Sequence, residues 1–256
     1  MIQPRIYPRN LKNVTQVLPV SCVPPVMGDA NSNDVDHSSL EPTFQSIVSR
    51  KDKLFKIIVV GNPMVGKSSF IFRYVHGRFN ARFKPTIGVD FALKKIEREN
   101  NEIVRLQIWD IAGQERFGSL TRVYYRDAAA CIIMFDVSEA QSFYDVAKWK
   151  QDVDKKVLLK DGNPVPCMLL GNKIDLSTRC IQDEEIKIFS KEHSFIGWTT
   201  MSVKENVNVD LPMIFLVEKL MADINNSRSP FPEDFTDSDG NIRLPEEDRT
   251  SRLPCC

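Results

Sequence analysis

Apolar positions are scattered and proline-broken up to about residue 52, where Pro4, Pro8, Pro19, Pro24 and Pro25 interrupt any period, and they become ordered from Leu54 onward. Leu54–Gly61, Ala129–Val137 and Val165–Gly171 are near-continuous apolar runs of strand length, the pattern of strands buried on both faces of a parallel sheet. Gly88–Glu99 and Glu102–Ile111 read as two further strands around the turn Asn100-Asn101, and a short strand falls near Trp198–Met201. Lys67–His76, Asp183–Lys191 and Leu211–Asp223 read as helices. Ala140–Val157 reads as another, with Phe143, Val146, Ala147, Trp149 and Val153 at roughly helical spacing. Strands separated by helices predict an α/β fold, a doubly wound, mostly parallel six-stranded sheet with helices on both faces. Ligands then collect at the carboxyl ends of the strands.

The same pattern divides the chain. Residues 1–53 read as a flexible N-terminal extension, although Leu40–Val48 holds enough apolar residues to dock on the adjoining domain. Residues 54–225 form that domain. Residues 226–256 read as a flexible tail, since Ser227–Pro254 sets seven acids against four arginines, is punctuated by proline and ends in Cys255-Cys256.

Composition narrows the class. The formal charge of the 256 residues is zero, and no basic stripe interleaves with aromatics, so nucleic acid is not an expected partner. Six cysteines lie without metal-type spacing, and no secretory leader and no run of about 18 apolar residues occurs, as expected of a reduced, cytosolic chain with no membrane span. Ile2 in place of glycine argues against N-myristoylation. His37, His76 and His193 fit no nucleophile or metal pattern and receive no role.

Three constellations carry chemistry. Gly61-Asn62-Pro63-Met64-Val65-Gly66-Lys67-Ser68 joins a strand to a helix. Glycines let the backbone turn and aim its N–H groups inward, while the helix start contributes about half a positive charge toward an anion. Lys67 then reaches β- and γ-phosphates and the Ser68 hydroxyl suits Mg²⁺. Trp109-Asp110-Ile111-Ala112-Gly113-Gln114 ends a buried strand, which suits Asp110 as a Mg²⁺ partner, Gly113 as an N–H for a terminal phosphate and Gln114 as the holder of an attacking water. Taken alone, this could be a plain turn after a strand. Asn172-Lys173-Ile174-Asp175 comes after the Val165–Gly171 strand, and a carboxylate at Asp175 can accept from the paired N1–H and N2–H₂ donors of guanine. On its own it is also a common surface turn.

In series, these motifs resemble the Ras superfamily of small GTPases, and within it the Rab family. Thr86 and Ser202-Val203-Lys204 take the family's order, and Ile87-Gly88-Val89-Asp90-Phe91, Tyr124-Tyr125-Arg126 and Cys255-Cys256 resemble the Rab branch. Ile111, Lys148-Trp149-Lys150 and Phe195-Ile196-Gly197-Trp198 resemble the Rabs associated with lysosome-related organelles. The resemblance implies a P-loop small GTPase fold, bound GTP or GDP, and Mg²⁺ on Ser68, Thr86 and Asp110. It implies a nucleotide site of Gly61, Met64, Val65, Gly66, Lys67, Ser68, Ser69, Phe79, Phe83, Thr86, Gly113, Asn172, Lys173, Asp175, Ser202, Val203 and Lys204, with Gln114 and Lys67 catalytic. Phe79 packs at the guanine edge and Phe83 closes over the phosphates. Ile87, Phe91, Trp109 and Tyr124 form the effector surface, against a plainer reading of the three aromatics as core packing.

The resemblance further implies two prenyl groups on Cys255 and Cys256, and a monomer at the cytoplasmic face of an endosomal, lysosome-related or Golgi-derived membrane that cycles through the cytosol. The implied partners are an exchange factor, a GTPase activator, a GDP-dissociation inhibitor, escort and prenyltransferase machinery, and effectors. Two departures bear on mechanism. Pro63-Met64 stands where relatives often carry small residues, which leaves open a guanine-nucleotide scaffold with negligible hydrolysis. Val203 replaces a common alanine where the family uses the backbone N–H, so binding is expected to survive.

Overall fold

A computed structural model of the chain describes residues 12–14, 52–81, 85–98, 102–114 and 121–225. Phe83, the tail with Cys255 and Cys256, and the N-terminal extension apart from 12–14 and Asp52–Lys53 lie outside the described residues. The strands are β1 (Lys12–Val14), β2 (Asp52–Val60), β3 (Val89–Glu97), β4 (Ile103–Ile111), β5 (Ala130–Asp136), β6 (Cys167–Asn172) and β7 (Gly197–Thr200). The helices are α1 (Lys67–His76), α2 (Thr121–Tyr125), α3 (Ala140–Tyr144), α4 (Val146–Lys156), α5 (Asp183–Glu192) and α6 (Leu211–Asn225).

The sheet runs in the order β1-β3-β4-β2-β5-β6-β7. Strands β2 and β4 to β7 pair in parallel, and β3 returns antiparallel on β4, with Phe91 opposite Trp109 and Val89 opposite Ile111. Strands β2 to β7 are the six that the apolar pattern predicts. The short β1 adds a seventh, antiparallel at the β3 edge, where Lys12 pairs Glu97 and Val14 pairs Lys95.

Period-two alternation divides the apolar residues between two cores. From β2, Phe55, Ile57 and Val59 face one cluster with Phe70 and Tyr74 of α1 and Phe215 and Leu216 of α6. Ile58 and Val60 face the other, with Phe143 of α3, Trp149 and Val153 of α4 and Ile186 of α5. Every residue of β5 is buried, because its two faces feed both clusters. Burying each large side chain is worth about 1.5–3 kcal/mol. The two cores therefore hold the sheet rigid and fix where its carboxyl ends point.

The long helix expected over Ala140–Val157 is divided at Asp145. The Asp145 carboxylate accepts from Asn62 Nδ2 at 2.9 Å and from Lys148 Nζ at 2.6 Å, so the break is tied to the loop after β2. Backbone hydrogen bonding continues across it, since Lys148 and Trp149 both donate backbone N–H to the Asp145 carbonyl at 3.1 Å.

Candidate nucleotide-binding site

The carboxyl ends of β2, β4, β6 and β7 deliver four loops to one edge of the sheet. The loop after β2 requires its glycines. At Gly61, with φ of 140°, a Cβ would lie 2.1 Å from the Met134 carbonyl oxygen, and at Gly66, with φ of 102°, one would lie 2.3 Å from Asn172 Nδ2. Met64 takes a left-handed φ of 65° and stands exposed, while Val65 is buried. Gly66 caps α1, so Lys67, Ser68 and Ser69 open the helix where unpaired N–H groups gather.

Lys67 is 6% exposed, and its ammonium donates to the carbonyls of Gly61 and Asn62, each at 2.9 Å. Burial lowers its pKa to about 8 against the opposing charge of Asp110. Lys67 thus spans the loop from the inside, as a cation waiting for an anionic neighbour.

Ser68, Thr86 and Asp110 converge beside it. Ser68 Oγ donates a short hydrogen bond to Asp110 Oδ2, Thr86 Oγ1 donates to the same oxygen at 3.0 Å, and the two hydroxyls lie 2.7 Å apart. Three oxygen contacts share only two hydroxyl protons, and Asp110 Oδ1 is buried with no partner among the described residues. Burial raises the Asp110 pKa, while bonds from Ser68 and Thr86 and the Lys67 charge work the other way. A cluster of hard oxygens with surplus lone pairs fits Mg²⁺, whose remaining ligands would come from phosphate and water.

Gly113 packs on the phosphate loop so closely that a Cβ there would lie 2.3 Å from Pro63 N and 2.7 Å from Pro63 Cδ. Gln114 comes next, exposed. The loop conformation is held from behind by α4, since Trp149 Nε1 donates to Asn62 Oδ1 at 2.9 Å. This pairing is not visible in the sequence, where Asn62 is an unspecified position of the glycine-bounded loop and Trp149 reads as a core aromatic and as part of Lys148-Trp149-Lys150.

At the far end, Asn172 is buried and bridges two loops, donating Nδ2 to the Val65 carbonyl at 2.9 Å and accepting from Val203 N at 3.1 Å. The Val203 N–H, which the resemblance assigns to the base, is directed here to Asn172, so contact with a base would require it to be shared. Ser202 Oγ donates to Asp175 Oδ1 at 2.6 Å and accepts from Glu205 N at 3.0 Å, which fixes the Asp175 carboxylate. Lys204 Nζ approaches Asp175 Oδ2 at 3.8 Å. Lys173, at a left-handed φ of 72°, sets its ammonium 2.6 Å from Asp136 Oδ2 and so lays its stem along the site. Phe79 is exposed at the other side, with Arg73 over its ring.

The aromatics divide between exposure and packing. Phe91 is 44% exposed and stacks on half-buried Trp109 with ring centroids 5.9 Å apart, and Lys56 Nζ sits 3.8 Å from the Trp109 centroid. Ile87 is 93% exposed, whereas Tyr124 packs partly on the core. Ile87 and Phe91 thus stand exposed on the segment that follows Thr86, while Trp109 and Tyr124 are half-buried.

A phosphate loop, a hydroxyl–carboxylate cluster and a buried asparagine–aspartate loop at one sheet edge define a nucleotide-binding α/β protein. The model of the Ras family matches residues 56–222, and the chain belongs to that family. Its relatives are Rab proteins. It is 55% identical to Ras-related protein Rab-7L1 of Rattus norvegicus over 70% of this chain and 86% of that one. It is 44% identical to Ras-related protein Rab-32 of Sus scrofa over 80% and 90%, and 48% identical to Ras-related protein Rab-32B of Dictyostelium discoideum over 72% and 70%. The protein is thus a Rab-type small GTPase, which hydrolyses GTP and serves as a GTP-binding switch in membrane traffic. No helix among the described residues is long and apolar enough to cross a membrane.

Proposed function

We propose that residues 54–225 are the GTPase domain of a membrane-anchored switch that hydrolyses GTP slowly and, in its GTP state, recruits effectors to an endolysosomal or lysosome-related membrane. The observation that carries this reading is the convergence of Ser68, Thr86 and Asp110 beside Lys67. Lys67 and the amides of Val65 to Ser69 bind the phosphates and offset charge on the γ-phosphoryl group as it leaves. Gln114 orients the attacking water, and Gly113 donates its N–H to the γ-phosphate. Mg²⁺ held by Ser68, Thr86 and Asp110 would neutralise charge between the β- and γ-phosphate oxygens.

Asp175 selects guanine, Lys173 covers the ring and Phe79 packs its edge. When the γ-phosphate goes, Thr86 and Gly113 lose their ligand and the effector surface of Ile87, Phe91, Trp109 and Tyr124 changes shape. Exchange factor, activator, GDP-dissociation inhibitor and effectors act on this cycle of a monomer. Prenyl groups on both Cys255 and Cys256 anchor it to the cytoplasmic face, because one chain binds only marginally and the tail offers no basic patch. Replacing both cysteines by serine should move a tagged protein from membranes to cytosol.

A second reading is a guanine-nucleotide scaffold that barely hydrolyses, favoured by the Pro63 ring packed at Gly113. A partner's arginine adds on the order of 10³ to 10⁵ in rate, about 4 to 7 kcal/mol, and a displaced γ-phosphate region would forfeit much of that. Single-turnover GTP hydrolysis separates the two readings. If the wild type hydrolyses and responds to an activator as well as Pro63→Gly does, the scaffold reading fails.

A further inference from the structure

Arg73 lies on α1, six residues beyond Lys67 and about 9 Å along the helix axis. Its guanidinium donates through Nε to the Val203 carbonyl at 3.0 Å and through Nη2 to the Lys204 carbonyl at 2.6 Å. A third, longer bond runs from Nη1 to the Gly77 carbonyl at 3.4 Å. Gly77 returns its N–H to the Arg73 carbonyl at 2.8 Å and turns the chain, at φ of 70°, toward Phe79, whose ring centroid lies 5.8 Å from Arg73 Cζ. One side chain therefore touches the loop after β7, the end of the helix that begins at the phosphate loop, and the aromatic at the mouth of the base site.

We propose that Arg73 is a positioning residue, a latch that holds the Ser202–Lys204 loop against α1 and Phe79 and thereby sets how fast guanine nucleotide leaves. The proposal rests on the reading of that loop as the base site. The planar fork is what the geometry uses, because two consecutive carbonyls are bridged by adjacent guanidinium nitrogens. A cation in the last turn of a helix is also favoured by the helix dipole, but any cation would satisfy that demand. The contacts to Val203 and Lys204, 130 and 131 positions away, are long-range and have no part in capping α1. They fasten the base side of the site to its phosphate side. Asn172 makes the corresponding fastening on the inner side, from Val65 to Val203, so the loop is held at both flanks.

Release of a fluorescent GDP analogue, chased by excess GDP in Mg²⁺, tests the latch. Arg73→Ala should release about ten- to thirtyfold faster, the scale of losing charge-assisted hydrogen bonds at a partly exposed site. Hydrolysis of prebound GTP in a single turnover should shift far less, by under about twofold. Arg73→Lys, which keeps the charge and loses the fork, should fall between Arg73→Ala and the wild type, and it carries the test if Arg73→Ala does not fold. Release within twofold of the wild type in a folded Arg73→Ala, equal shifts in release and hydrolysis, or Arg73→Lys matching the wild type would each overturn the proposal. Competition of ADP against GDP on the wild type tests the base site separately. Equal affinities would remove the base-site reading and the latch with it, whereas a strong preference for GDP with unchanged release in Arg73→Ala removes the latch alone.

Discussion

Asn172 donates its side-chain amide to the carbonyl of Val65 at 2.9 Å, across 107 positions of sequence, and so fastens the end of β6 to the phosphate loop. The same side chain accepts from Val203 N at 3.1 Å, and Asn172 is 3% exposed. Asn172→Ala leaves a buried carbonyl and a buried N–H unpaired, at about 1–3 kcal/mol each where water cannot enter. A loss of about 2–4 kcal/mol in urea unfolding is expected, with an unchanged slope against denaturant. A loss under 1 kcal/mol would mean that both groups find other partners.

The hold of α4 on the phosphate loop is measurable as a pair. Trp149→Phe keeps a buried aromatic but loses part of the indole together with the N–H that Asn62 Oδ1 accepts, while Asn62→Ala removes that acceptor and the donor to Asp145. Each single change should destabilise the protein, and the double change should cost about 1 kcal/mol less than the sum of the two. Additive costs would show that the indole stabilises by packing alone.

Acid should weaken the Lys173 tether. Burial pushes the Asp136 carboxyl up, but hydrogen bonds from Lys173 and Ser138 and the Lys173 charge outweigh it, and the net pKa lies below the ordinary 3.8. A depressed folded value means that this stabilisation is complete above the unfolded pKa and is lost as pH falls through the folded one. The stability difference between wild type and Asp136→Asn, measured by denaturant midpoints, should therefore shrink as pH falls from about 5 through and below the ordinary carboxyl range. A difference that grows toward acid would reverse the assignment.

The parts of the fold that could be read from the sequence are those whose signal is local. Strands β2, β5 and β6 carry near-continuous apolar runs because both faces are buried over Ile57–Val60, Ala130–Phe135 and Cys167–Leu170, and the glycines at 61 and 66 mark backbone that no side chain could enter. The break at Asp145 is not visible that way. Apolar positions stay in phase across it, and its carboxylate partner Asn62 lies 83 positions away. Strand β1 is equally silent, since three residues of Lys-Asn-Val carry no period, and their pairing depends on the free edge of β3. Arg73 looks like any surface cation until the carbonyls of Val203 and Lys204 are brought to it. The candidate site is legible where spacing along one loop makes the chemistry and illegible where a distant element supplies the support.

The guanine-specific switch is tested most directly at Asp175. Its carboxylate, fixed by Ser202 Oγ at 2.6 Å, would accept from both guanine donors, whereas an amide in its place can accept only one of those bonds and presents a donor suited to the xanthine carbonyl. Equilibrium binding of GTP and xanthosine triphosphate should be measured for the wild type and Asp175→Asn. The expected result is GTP affinity lowered by about a hundredfold, the scale of a lost bidentate charged pair, with xanthosine triphosphate becoming the preferred ligand. Unchanged GTP affinity in Asp175→Asn would contradict the base site and, with it, the account of this protein as a guanine-reading switch.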